Sequence, residues 1–250
     1  MNLIREHWTK ADISEFKKYL LKFSKGKEKG EWEQRIVNTK LSCIAVPANV
    51  VKNIIKQIAK GNFREFLQLN IPQNFTEKTI NGNLICLIKD FDEMKVYLDN
   101  YLSTVDNWAS VDTLKFKVNS HNAENYLSLA REYVKSPLTF VRRCGLIILF
   151  KLVSNDEYID DIFSIMNSLN SEIEYYVNMA NAWLFAECFA KQREATLNFL
   201  KTHNMNDFSI NMGIQKCRDS FRISSEDKKM LLQFKRKTNG KKYTKSNSTN

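Results

Sequence analysis

The chain is poor in the residues that turn a backbone sharply. Seven Gly and three Pro in 250 residues leave little turn chemistry for a many-stranded β-fold. The same scarcity excludes a Gly-rich phosphate loop or a dinucleotide fingerprint, so no nucleotide cofactor is expected. Histidine is scarce too. His7, His121 and His203 are far apart, and the five Cys at 43, 86, 144, 188 and 217 include no Cys-x-x-Cys pair, so no metal site and no cofactor are expected. An odd number of widely spaced Cys, mostly in apolar stretches, suits reduced thiols and a cytoplasmic protein rather than a disulfide framework. Long apolar runs are missing as well. The stretch Gly145–Phe150 is far too short to span a bilayer, and Met1–Trp8 contains no long apolar region of the kind a targeting signal needs.

What is abundant is helix-forming: Leu, Lys, Glu, Gln and Met, which together point to an all-α chain. A length of 250 residues is enough to bury a substantial core, and one folded unit is expected over residues 1–237. The formal net charge is +10, yet residues 226–250 hold eight Lys and Arg against only Glu226 and Asp227, which leaves +4 for everything before them. A basic total favours an anionic partner. A soluble or floppy C-terminal segment explains the excess equally well, and residues 238–250, with no apolar period, are expected to form a basic, polar, disordered tail.

Residues 24–30 separate an amphipathic first segment (Ile13, Phe16, Tyr19, Leu20, Phe23) from the rest, as a loop or an embellishment before the repeats. Pro47 suits the first turn of a helix carrying Val50, Val51, Ile54, Ile55 and Ile58, with Gly61 placed to end it. Beyond residue 76, apolar groups at helical spacing alternate with polar breaks near Asn81–Asn83, Asp90, Ser103–Asp106, Asn119–Asn122, Ser136–Pro137, Ser154–Asp156, Asn170–Ser171, Asn204–Asp207 and Ser224. Helix pairs starting at Asp106, Leu138, Ile173 and Asp207 recur every 32, 35 and 34 residues, a period that suits a solenoid of helical hairpins. In such a solenoid, residues at similar offsets in the first helices line one surface. Trp108 and Asp112 stand at offsets 2 and 6 of one unit, Arg143 at offset 5 of the next and Trp183 at offset 10 of the third. Trp108 and Asp112, four apart, share a helix face.

Asn107-Trp108-Ala109-Ser110-Val111-Asp112 resembles the Trp-x-x-x-Asp signature of the AlkD-like DNA alkylation repair glycosylases. Phe140–Cys144 resembles the helix that carries that family's groove arginine, with Arg143 the better match of the two. Tyr175–Leu184 resembles the helix with its second tryptophan, here Trp183, and Ile214–Arg222 its C-terminal repeat. No one motif is unique, but their order and spacing together are more specific. The match is strongest from about residue 106 to 236, and Ile44–Pro47 resembles the turn before the family's second helix layer. The resemblance implies a right-handed α-α superhelix of HEAT-like repeats with a concave, basic groove for duplex DNA. It also implies action on N3- and N7-alkylated purines without drawing the base into a pocket, unlike glycosylases that extrude their target.

The chemistry such residues can do is simple. A purine alkylated at N3 or N7 is already a cation and needs no general acid to leave, and its departure puts positive charge on the deoxyribose. A carboxylate in a dry cleft stabilises that charge and orients the attacking water. Asp112 fits this role, Trp108 and Trp183 would add cation–π attraction, and Arg143 would grip a phosphate. Arg142, Lys115, Lys117, Lys216, Arg218 and Arg222 are further candidates for backbone contacts. Taken singly, an indole at helical spacing reads as core and a carboxylate or cation as a solvated surface group. The expected partner is duplex DNA with alkylated bases, bound by a monomer with no membrane involvement. The competing reading is a non-catalytic HEAT-repeat scaffold for DNA or another protein.

Overall fold

Polar side chains fix seven of the helix starts. Thr9, Asn62, Asn74, Asp90, Asn107, Asn206 and Ser224 each stand at an N-cap, where the side chain accepts the backbone N–H three residues on. Each cap satisfies a donor that the helix itself cannot. A computed structural model describes residues 1–237, and the expected tail at 238–250 lies outside the described residues. Fourteen α-helices and no strand occur among the described residues, so the chain is all-α.

The first of two compact units covers residues 1–117. It holds α1 (Lys10–Leu21), α2 (Lys27–Val37), α3 (Ala48–Ile58), α4 (Phe63–Leu69), α5 (Phe75–Ile85), α6 (Phe91–Leu102) and α7 (Trp108–Asp112). Its core gathers Trp8, Phe16, Leu20, Ile54, Ile58, Phe66, Ile80 and Leu84. Phe66 meets Trp8 and Phe16 edge-on at 4.9 and 5.1 Å between ring centres. Pro47 stands at the N-cap of α3, and Gly61 follows its end.

Two expected boundaries are corrected here. Residues 24–30 are not all loop, because α2 already starts at Lys27. Gly30 lies inside that helix, where a Cβ would come within 2.1 Å of the Cys43 carbonyl oxygen, so the helix can approach that backbone only through a glycine. Asn81–Asn83 is not a break either, since α5 runs through it. Asn81 exchanges hydrogen bonds with Asn70, donating to its carbonyl at 2.9 Å and accepting from its amide at 2.9 Å, while the Asn83 amide donates back to the Thr79 carbonyl. The Asn81 and Asn83 side chains both find partners inside the unit, so the helix survives them.

The second unit begins at Val118. It holds α8 (Ala123–Tyr133), α9 (Thr139–Leu149), α10 (Ile159–Ser168, after a 3-10 turn at Asp156–Tyr158), α11 (Tyr175–Lys191), α12 (Arg193–Thr202), α13 (Asp207–Asp219) and α14 (Ser225–Met230). The helices α9, α11 and α13 start within two residues of Leu138, Ile173 and Asp207. They pack in succession, α11 touching both others, with α8 on α9, α10 and α12 on α11, and α14 on α13. Gly213 permits the α11–α13 approach, because a Cβ there would meet the Phe185 ring at 2.7 Å. A buried polar tie sets their register: the Asn178 side-chain oxygen accepts from Ser209 Oγ and Asn206 Nδ2, both at 2.7 Å. The pair expected at Asp106 is divided, with α7 in the first unit and α8 in the second.

Candidate functional site

Helix α7 is only five residues long, far below the length at which a helix is stable by itself, so its position depends on its ends. Asn107, almost wholly buried, caps it by accepting from Ser110 N at 2.8 Å and donating to Ser110 Oγ at 3.0 Å. Asp106 ties it to the segment after α2. One carboxylate oxygen accepts from Thr39 Oγ1 at 2.7 Å and from Asn107 Nδ2 at 2.8 Å, and the other from the backbone N–H of Lys40 at 2.6 Å. Trp108 adds a further tie through its indole N–H, which donates to the Ile36 carbonyl at 3.3 Å. The edge of the ring is therefore engaged by protein, and what it can offer a ligand is its π face. Asp112 ends the helix one turn on, half-buried.

After α7 the chain leaves regular structure until α8. Leu114 and Phe116 are buried while Lys115 and Lys117 are exposed, an alternation that turns both lysines the same way. Thr113, Lys115 and Lys117 line a cleft of about 670 Å³ within the first unit, together with Val46, Val51, Ile55, Phe75 and Leu87 and with Lys52 and Lys56 of α3. Lys52 and Lys56 were not among the expected contacts. Their spacing of four along one helix is the signal that could have marked them. Glu33 also borders the cleft, and burial raises its carboxyl pKa against the hydrogen bond from Ala45 N–H. Burial, with Glu33 next, pushes the Cys43 thiol up to about 12, so it stays protonated and poorly nucleophilic. Lys78, buried on α5, is lowered to about 8 by desolvation. Its ammonium donates to the Tyr101 carbonyl and Thr104 Oγ1.

In the second unit the two arginines of α9 are turned inward. Arg143 is 5% exposed and donates to the Tyr176 carbonyl of α11. Arg142 pairs with Glu172 at 2.7 Å and donates to the Ser136 and Pro137 carbonyls at 2.8 and 2.9 Å. Trp183 is 39% exposed on α11 and leans on Phe150 at 4.6 Å between ring centres. One turn beyond it, Glu187 receives both arms of Arg222 at 3.1 and 2.7 Å. Those bonds, with Lys191 beside them, hold the Glu187 carboxyl below its ordinary pKa. Arg218 is exposed and Lys216 half-buried at the end of α13. The structure thus groups Trp108, Asp112, Lys115 and Lys117 in the first unit, and Arg142, Arg143, Trp183, Lys216, Arg218 and Arg222 in the second.

Among the described residues no three or more His, Cys, Asp or Glu side chains cluster so as to hold a metal ion, and no helix is long and apolar enough to cross a membrane. No curated protein matches the chain. The sequence profile of a family described as DNA alkylation repair enzyme matches residues 17–217, a span that takes in α7, α9, α11 and nearly all of α13. The chain therefore belongs to the DNA alkylation repair enzyme family, with DNA as its substrate and repair as its role.

Proposed function

We propose that the protein is a monofunctional DNA glycosylase that hydrolyses the N-glycosidic bond of N3- and N7-alkylated purines in duplex DNA. The observation that carries the reading is α7. Its ends are Trp108 and Asp112, and its short backbone is held by Asp106, Asn107 and the Trp108–Ile36 bond. A carboxylate and an indole held on so short a support are preorganised, and preorganised charge is what stabilises a developing sugar cation. In this reading Asp112 faces that cation and orients water, and Trp108 and Trp183 attract it with their π faces. Lys115, Lys117, Lys216, Arg218 and Arg222 meet phosphates. Arg142 and Arg143 join them while also tying the second unit internally.

The test is release of 7-methylguanine or 3-methyladenine from alkylated duplex DNA by the purified full chain. Asp112→Asn is expected to cut release by two orders of magnitude or more, roughly the scale of losing one electrostatic stabiliser, with DNA binding largely kept. Release at the wild-type rate in that variant removes the mechanism. A second reading, a non-catalytic binding module, is favoured by the inward engagement of Arg142 and Arg143. It expects binding without any base release.

A further inference from the structure

Phe221 is 104% exposed, the most solvent-accessible large apolar side chain among the described residues. It sits in the turn between α13 and α14, and that turn is firmly rooted. On one side, the Ser220 N–H donates to the Cys217 carbonyl at 3.2 Å and its hydroxyl accepts from Arg222 N–H at 3.2 Å. On the other, Ile223 is 7% exposed and Ser224 caps α14. Arg222 clamps the turn to Glu187, one helical turn from Trp183 on α11. A ring held out on a fixed support has already lost the backbone freedom that binding would otherwise cost.

The surroundings choose the occupant. A protein-docking face presents a broad apolar core, but the chain on either side of Phe221 is polar: Arg218, Asp219, Ser220, Arg222 and Ser224. With Arg222 paired to Glu187, Lys216 and Arg218 stand against Asp219 beside the ring, a balance that still favours a polyanion. A lone apolar wedge flanked by cations is the arrangement with which proteins unstack a base step. We propose that Phe221 inserts between adjacent base pairs of bound duplex DNA while Lys216 and Arg218 hold phosphates beside that step. This rests on the reading above that the chain engages duplex DNA, but not on its chemistry.

The experiment uses the full chain and a set of duplexes, each with a tetrahydrofuran abasic site and one 2-aminopurine moved base by base along the strand. Wild-type protein is expected to brighten 2-aminopurine at one step, because unstacking relieves its quenching. Phe221→Ala should lose that signal and bind roughly 5- to 100-fold more weakly, the range for one lost stacking contact. Phe221→Leu should keep most of both. The position is solvent-exposed, so neither variant threatens the fold. Binding with no brightened step, or equal brightening by Phe221→Ala, overturns the wedge. So does weaker binding of Phe221→Ala with the signal unchanged, since the ring would then contact DNA without inserting. A protein that brightens the step yet releases no base keeps the wedge and removes the glycosylase reading.

Discussion

The indole N–H of Trp108 donates to the carbonyl of Ile36 at 3.3 Å, joining residues 72 apart in sequence. The acceptor is one of the carbonyls at the C-terminal end of α2 that lack a partner within the helix, and the donor sits at the first position of α7. One bond thus satisfies a helix end and fixes a ring.

Two substitutions at Trp108 separate those roles. Trp108→Phe keeps a flat ring and removes the donor, so it is expected to cost about 1 kcal/mol of stability with base release little changed. Trp108→Ala removes the π face as well. If that face attracts the sugar cation, release slows by roughly 2- to 30-fold beyond the stability effect. Urea unfolding and single-turnover release, measured on the same preparations, check both. Wild-type release by Trp108→Ala would leave the ring with a structural role only.

Asp106 accepts from Thr39, Lys40 and Asn107, so its removal leaves three donors to find new partners. Asp106→Ala is expected to destabilise the chain by about 2 kcal/mol and to lower base release at temperatures where the variant stays folded, because α7 has too few bonds of its own to hold its place. Thermal unfolding followed by release assays well below the new midpoint distinguishes the two effects. Unchanged release in a destabilised protein would show that α7 keeps its position without this clamp.

The break before α7 and the four-residue spacing of Trp108 and Asp112 were legible in sequence because both are local. A cap needs Asn107 and Ser110, three residues apart, and helical spacing alone puts Trp108 and Asp112 on one face. What supports them was not legible. Ile36, Thr39 and Lys40 lie at least 66 residues away, and no periodicity links them to α7. The same reason hid the cleft, which is assembled from α3, α5 and the segment after α7. Asn81–Asn83 misled because a polar run reads as a break unless its partner is known, and the partner is Asn70 across a turn. Arg142 and Arg143 were legible as cations, but the sequence held no sign that Glu172 and Tyr176 would draw them inward.

His203 makes stability depend on pH. Burial, with Arg236 beside it, lowers the imidazole pKa from 6.5 to about 4. Arg236 reaches the His203 ring at 3.2 Å. The unfolded chain therefore takes up a proton below about 6.5 that the folded chain refuses until about 4. The folded state is favoured most above this window, and stability falls as pH drops through it, by on the order of 3 kcal/mol in all. Urea midpoints measured between pH 7.5 and 4 should show that fall, and His203→Gln should flatten the part of the slope due to this group. A slope unchanged in the variant would assign the acid sensitivity elsewhere.

Lys115 and Lys117 give the clearest electrostatic test, because the buried Leu114 and Phe116 hold the segment in place while both lysines are exposed residues that line the cleft. A lysine that neutralises a phosphate releases a counterion, so binding weakens with salt in proportion to the number of such contacts. Each of Lys115→Ala and Lys117→Ala is expected to lower the slope of log affinity against log salt by about 1 and to weaken binding similarly for all sequences. Lys52→Ala and Lys56→Ala, on α3 and lining the same cleft, extend the test. If they change the slope as the first pair does, the cleft lies along the DNA backbone. If only Lys115 and Lys117 do, the duplex follows the segment after α7 and leaves the α3 edge in solvent. A slope untouched by all four would place the phosphate contacts of the first unit elsewhere, and Asp112 would then need a different route to the sugar.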